Sequence, residues 1–118
     1  MLVYISGPMT NEDKFLNLRR AIDAGERIAT RGHGVFIPHL NEIWSFVYPH
    51  EYEFLMKQDF IILKRCDIVV RLNGYSEGAD REVGLMKQLG KPTFGSVFSD
   101  GVEEFMNSKY WCQTEPFI

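Results

Sequence analysis

Residues 67–92, "DIVVRLNGYSEGADREVGLMKQLGKP", decide the fold. "DIVVRL" is a short apolar run, the pattern of a strand buried on both faces. Asn73-Gly74 and Gly78 are turn residues, and the chain between them reads as a loop. A helix follows, with Ala79, Leu85, Met86 and Leu89 on its apolar face. Lys91-Pro92 ends it and leads into another strand, "TFGSVF" (93–98). Strand, loop, helix and strand in this order predict a parallel unit with a right-handed crossover. One residue disturbs the pattern. Glu82 lies on the apolar face, with Ala79, Leu85 and Met86 three and four positions away.

The same alternation extends upstream. "LVYI" (2–5) is an apolar strand ended by the turn Ser6-Gly7-Pro8. Thr10 or Asn11 is the expected cap of a helix over about 13–30, with Phe15, Leu18, Ile22, Ile28 and Ala29 as its apolar stripe. "RGHG" (31–34) stops that helix, and "VFIP" (35–38) reads as a second strand. "HLNEIWSFVYPHEY" (39–52) is aromatic-rich and irregular, and reads as a loop or lid. A further helix is expected over about 51–65, a short one over 100–108, and a loosely packed tail after it. The prediction is an α/β protein of three-layer αβα build. Its core is a flavodoxin-like doubly wound parallel sheet of four to five strands. Ligands of such sheets sit beyond the carboxyl ends of the strands. The loops Ser6-Gly7-Pro8, Pro38-His39 and 73–78 should therefore converge.

With 118 residues, 45% of them hydrophobic and 14% aromatic, the chain suits a single domain with a substantial core. The formal net charge of −3, with no run of Lys or Arg, argues against a polymeric nucleic acid as partner. Cys66 and Cys112 are the only cysteines and form neither a metal-ligand pattern nor a disulfide scaffold, which favours a reducing cytoplasm. No signal-peptide pattern is visible, and no stretch approaches the ~20 apolar residues of a membrane span.

Asp59 repeats the anomaly of Glu82, flanked by Leu55 and Met56 one turn before and Ile62 and Leu63 one turn after. An unpaired buried carboxylate costs several kcal/mol or takes up a proton. Either acid could be a structural partner for an Arg, a Tyr hydroxyl or a helix N-terminus. As a pair beside one crevice, they suit glycosyl chemistry, with one as nucleophile and the other as acid. Tyr4 is either a core aromatic or a hydroxyl that holds a carboxylate. Trp44, Phe46, Tyr48 and Tyr52 read as packing, or as an aromatic lid that could stack on a flat base. His39 and His50 carry weak signals, and neither has a catalytic part.

"YISGPMT" in the first strand and turn, an Asp in the helix before "CDIVVRL", and "GYSEGADREVGLMKQLGKP" together resemble the nucleoside 2-deoxyribosyltransferase superfamily. The nearest likeness is to its small bacterial and phage branch, and it covers most of residues 3–94. The resemblance implies a flavodoxin-like fold that assembles as a homodimer or larger oligomer, with sites near subunit contacts. It implies cleavage of the N-glycosidic bond of a 2'-deoxynucleoside or its 5'-monophosphate, with neither a metal nor an organic cofactor. Glu82 then matches the nucleophile, Tyr4 the tyrosine that orients it, and Asp59 the aspartate near the nucleobase. Ser6, Gly7, Pro8, His39, Trp44, Gly74, Ser76 and Gly78 are the candidate substrate contacts. Six residues before the nucleophile the transferases carry an acid, whereas the monophosphate hydrolases carry a serine. This chain has Ser76, with Glu77 beside it. A hydroxyl accepts a phosphate that a carboxylate would repel, although a serine there could equally be a helix cap. Base exchange between nucleosides, a non-catalytic nucleotide sensor and cleavage of NAD remain the alternatives.

Overall fold

The computed structural model describes residues 1–112. Four parallel strands, β1 (Leu2–Ser6), β2 (Gly34–Phe36), β3 (Ile68–Arg71) and β4 (Thr93–Phe94), form one sheet in the order β2-β1-β3-β4. Five helices accompany it: α1 (Lys14–Thr30), α2 (Glu42–Val47), α3 (Tyr52–Leu63), α4 (Glu77–Gln88) and α5 (Gly101–Met106). This is the expected flavodoxin-like α/β architecture, with four strands.

Alternation along the central strands divides the core in two. Val3 and Ile5 of β1, with Ile68 and Val70 of β3, face Ala21, Ala24 and Ile28 of α1 and Val102 and Phe105 of α5. Tyr4 and Val69 point the other way, onto Leu63 of α3 and Val83 and Met86 of α4. Successive strand residues face opposite sides. Ser6 and Arg71, paired in register, therefore continue the Tyr4 face at the carboxyl end. From β1 the chain moves outward through α1 to β2, then returns through α3 to β3. The direction of winding thus reverses between β1 and β3, the switch point where crevices open in doubly wound sheets.

Several local expectations are corrected. Asp13, not Thr10 or Asn11, caps α1, its Oδ1 accepting from Phe15 N at 3.0 Å and Leu16 N at 3.1 Å. Helix α1 buries Asn17, Ala21, Ala24, Gly25 and Ile28, whereas Phe15 is 81% exposed and Ile22 also faces outward. Small residues let α1 lie close to the sheet, and the bulky ones are turned aside. Residues 39–52 are irregular only over 48–51: a 3-10 turn over Pro38–Asn41 runs into α2, with Pro38 supplying a helical φ at the start of the turn. The fourth strand stops at Phe94 because Gly95 turns the chain at φ +89. A Cβ there would collide with the Arg71 carbonyl oxygen. The tail is not loose as far as it is described. Trp111 packs edge-on against Phe105 with ring centroids 5.4 Å apart, and Tyr110 also rests on the core. The rest of the tail, 113–118, lies outside the described residues. Among the described residues no helix is long and apolar enough to cross a membrane.

Candidate active site

The switch point holds a buried carboxylate. Glu82, on the inner face of α4, is 5% exposed. The Tyr4 hydroxyl donates to Glu82 Oε2, and Ser6 Oγ donates to Oε1 at 2.7 Å. Both donors come from the carboxyl end of β1 and stand on one face because they are two residues apart. Burial pushes the Glu82 carboxyl up to about 7; the nearby Asp59 adds to the rise, while the two hydroxyl bonds and the Arg71 charge oppose it. Tyr4 is itself buried beside two acids, which drives its pKa upward and keeps it a donor. Asp59, 8% exposed on α3, is raised to about 6 by burial.

Glu82 and Asp59 line one cavity of about 240 Å³, closed on its other sides by Gly7, Met9, Thr10 and Asn11 after β1 and by Tyr75–Gly78 before and within α4. A second cavity of about 250 Å³ adjoins it and is more apolar, with Trp44, Leu55, Pro38 and Gln58 in its walls. Met9, Thr10, Tyr52, Met56 and Asp59 border both. Asp59 therefore sits at the seam of a two-part crevice whose polar half contains Glu82. Arg81 fixes one wall. It pairs with Glu53 at 2.8 Å and lies over the Tyr52 ring at 5.9 Å, joining α4 to α3.

Of the residues singled out in the sequence, Tyr4, Ser6, Asp59 and Glu82 come together, and Gly7, Ser76 and Gly78 line the same cavity. Ser6 touches Glu82 rather than open space. Ser76 caps α4, its Oγ accepting from Ala79 N at 3.1 Å, so its proton remains free to donate. Glu77 is exposed at the cavity rim. Trp44 lines the second cavity and packs against Phe54 and His50. Pro8 and Gly74 line neither cavity. They meet behind the first, where Gly74 has φ +112 and a Cβ would stand 3.0 Å from Pro8 Cγ. His39 is also apart: its buried ring donates from Nε2 to Pro8 O at 3.0 Å, and burial holds it neutral. It braces the β1 turn and borders a different, apolar cavity beside Phe15 and Phe46.

Sequence reasoning passed over Tyr75, and read Tyr52 only as packing or part of an aromatic lid and Thr10 and Asn11 only as candidate helix caps. It also missed Arg71, although a lone charge ending an otherwise apolar strand was a usable signal. Asn11 ties the two loops across the crevice, its Nδ2 donating to Tyr75 O at 2.8 Å. Among the described residues, no group of three His, Cys, Asp or Glu side chains is placed to hold a metal ion.

Comparison with known proteins agrees with this architecture. The fold matches the solved structure of a 2-deoxyribosyltransferase from the psychrotolerant bacterium Bacillus psychrosaccharolyticus, with a TM-score of 0.64, 21% identity and 100% of each chain covered. The family model described as "Domain of unknown function (DUF4406)" matches residues 1–94, and the chain belongs to that family. No curated protein matches the sequence.

The raised carboxyls make stability depend on pH. Both acids bind protons more tightly folded than unfolded, so their contribution to stability is greatest below about 4 and falls as pH rises toward about 7. Gln at position 82 imitates the neutral acid. Glu82→Gln should therefore raise the melting temperature at pH 8, by an increment equivalent to roughly 1–3 kcal/mol, and leave it nearly unchanged at pH 4. Thermal melts at the two pH values check this. A variant less stable than wild type at pH 8 would mean that Glu82 is not a strained buried charge.

Proposed function

We propose that this protein cleaves the N-glycosidic bond of a 2'-deoxynucleoside 5'-monophosphate through a covalent glutamyl-deoxyribosyl intermediate. The single observation that carries the reading is Glu82, buried, gripped by two hydroxyls and open on its cavity side beside a second acid. The likeness in fold to a 2-deoxyribosyltransferase and the motif resemblance support it.

In this reading the polar cavity takes the sugar and phosphate, and the apolar cavity takes the base. A carboxylate oxygen of Glu82 attacks C1' as the C1'–N bond breaks, its electron pair leaving with the base. Tyr4 and Ser6 hold the carboxylate in line, and their bonds weaken as its charge is spent in the ester. Asp59, at the seam between the cavities, gives its proton to the departing base. Water then attacks C1', giving its proton to the Asp59 carboxylate as the C1'–O bond to Glu82 breaks, which releases deoxyribose 5-phosphate and restores both acids to their starting forms. Ser76 directs its free hydroxyl proton to the phosphate, and the N-terminus of α4 adds a favourable dipole. Glu77, exposed at the rim, is left to solvent. If a second base resolves the ester, the same machinery performs transfer, and the fold match favours that as the second reading. The reading includes a homo-oligomer, supported by Ile43, Phe46 and Val47 of α2, which are 70%, 79% and 67% exposed.

Free base detected by mass spectrometry, after incubation with deoxynucleoside monophosphates, nucleosides and NAD, separates an enzyme from a binding module and names the substrate. Wild type should favour a monophosphate over its nucleoside, and Glu82→Gln should release no base. A hydrogen bond to a charged group contributes roughly 1.5–3 kcal/mol. Ser76→Ala should accordingly lower kcat/KM on the monophosphate by roughly tenfold to a hundredfold. Ser76→Asp should lower it further by repulsion. A preference of wild type for the nucleoside would overturn the hydrolase reading in favour of transfer.

The pH dependence offers a second test. The working pair has one proton, with Glu82 ionised and Asp59 protonated, the less populated of the two one-proton arrangements because Glu82 holds its proton more tightly. The acids ionise near 7 and near 6, so kcat/KM should be bell-shaped with its maximum between about 6 and 7. Asp59→Asn should lose the alkaline limb and rise monotonically. An unchanged profile in that variant would make Asp59 structural.

A further inference from the structure

Among the described residues Arg71 is the most completely buried charge, 1% exposed at the end of β3, where the rest of the strand is Ile68, Val69 and Val70. Taking a guanidinium out of water is costly unless every donor is satisfied. Here all five N–H groups are used. Nε and Nη2 both donate to Asp80 Oδ1, at 3.2 and 2.9 Å. Nη1 donates to Leu72 O at 2.6 Å and to Gly74 O at 3.0 Å, and Nη2 also reaches Ser76 O at 3.4 Å.

The three carbonyls belong to alternate residues of the loop between β3 and α4. In a trans peptide the C=O of one residue and the N–H of the next point in opposite directions. Turning the carbonyls of Leu72, Gly74 and Ser76 inward onto one guanidinium therefore turns the N–H groups of Asn73, Tyr75 and Glu77 outward. Tyr75 and Glu77 line the polar cavity. Gly74 breaks the alternation on the other side, its own N–H donating to Val97 O at 2.9 Å, with the φ of +112 this requires.

We propose that Arg71 is the positioning residue of the site, a buried clamp that sets the 72–76 loop so that its outward peptide N–H groups and the Ser76 hydroxyl meet the sugar-phosphate of the substrate. This deepens the glycosidase reading and rests on it for the substrate. The clamp also acts on the nucleophile. The titratable and charged groups that bear on Glu82 are Tyr4 from β1, Asp59 from α3 and Arg71 from β3, and Arg71 is the cation among them, favouring the carboxylate. One side chain thereby couples the shape of the substrate loop to the charge of Glu82.

Two variants separate these effects. Arg71→Lys keeps the charge but has three donors in place of five and no planar fork. Its preference for a deoxynucleoside 5'-monophosphate over the nucleoside should fall about tenfold, seen mainly in KM. The ionisation midpoint of Glu82, followed by carbon-13 NMR of the side-chain carboxyl, should stay near the wild-type value. Arg71→Met should lose the preference and also move the Glu82 midpoint to higher pH. The NMR midpoint is read without substrate, so it holds whether or not the protein proves to be a glycosidase, and only the preference depends on that reading. Wild-type preference in a folded Arg71→Lys would overturn the loop clamp, a result that stands even if Arg71→Met fails to fold. An unmoved Glu82 midpoint in a folded Arg71→Met would overturn the electrostatic coupling.

Discussion

A carboxylate that receives two hydroxyl hydrogen bonds inside an apolar layer is the constraint around which this structure is arranged. Glu82 is shielded by Tyr4 and Ser6 on one side and faces the crevice on the other. The two donors stabilise its ionised form, while burial and Asp59 oppose it. Above about pH 7 the balance leaves a carboxylate that is positioned but poorly solvated. The cost in stability is the counterpart of that poor solvation, as expected where a carboxyl interrupts an apolar face.

The sheet order explains why the components can meet. Tyr4, Ser6 and Glu82 are separated by more than seventy residues in the chain, yet β1 and β3 are neighbours and α4 packs on the face that Tyr4 occupies. Asp59 arrives on the same face from α3 because the chain crosses from β2 to β3 on that side. Loops from β1 and β3 then close the polar cavity, held to each other by Asn11 and Tyr75 and from beneath by Arg71. A polar half containing Glu82 and an apolar half containing Trp44 form a crevice suited to a ligand with a charged end and a flat end.

Much of the fold was legible in the sequence because parallel strands buried on both faces leave unmistakable apolar runs, and "LVYI" and "DIVV" mark the two central ones. The edges were less legible. β4 is cut to two residues by the positive φ of Gly95, and α2 carries Ile43, Phe46 and Val47 outward, so its pattern matches no buried face. The α1 stripe was misjudged because close packing selected Ala21, Ala24 and Gly25 over the larger side chains that dominate a hydrophobicity count. Within the crevice, acids on apolar faces identified Glu82 and Asp59. Arg71 went unread because, Asp80 apart, its partners are the backbone carbonyls of Leu72, Gly74 and Ser76, so the lone charge at the end of the apolar strand was the one trace of it in the sequence. His39 looked like a site residue from its place in a turn, but its bond to Pro8 O makes it a brace for the loop behind the cavity.

The most direct test is to capture the proposed ester. The protein is mixed with a 2'-deoxynucleoside 5'-monophosphate, quenched in acid within the first turnover, digested and mapped by mass spectrometry. The account predicts the mass of a deoxyribosyl phosphate on the peptide that contains Glu82, and none in Glu82→Gln. Release of free base with no adduct on that peptide, or with the adduct on another residue, would contradict it.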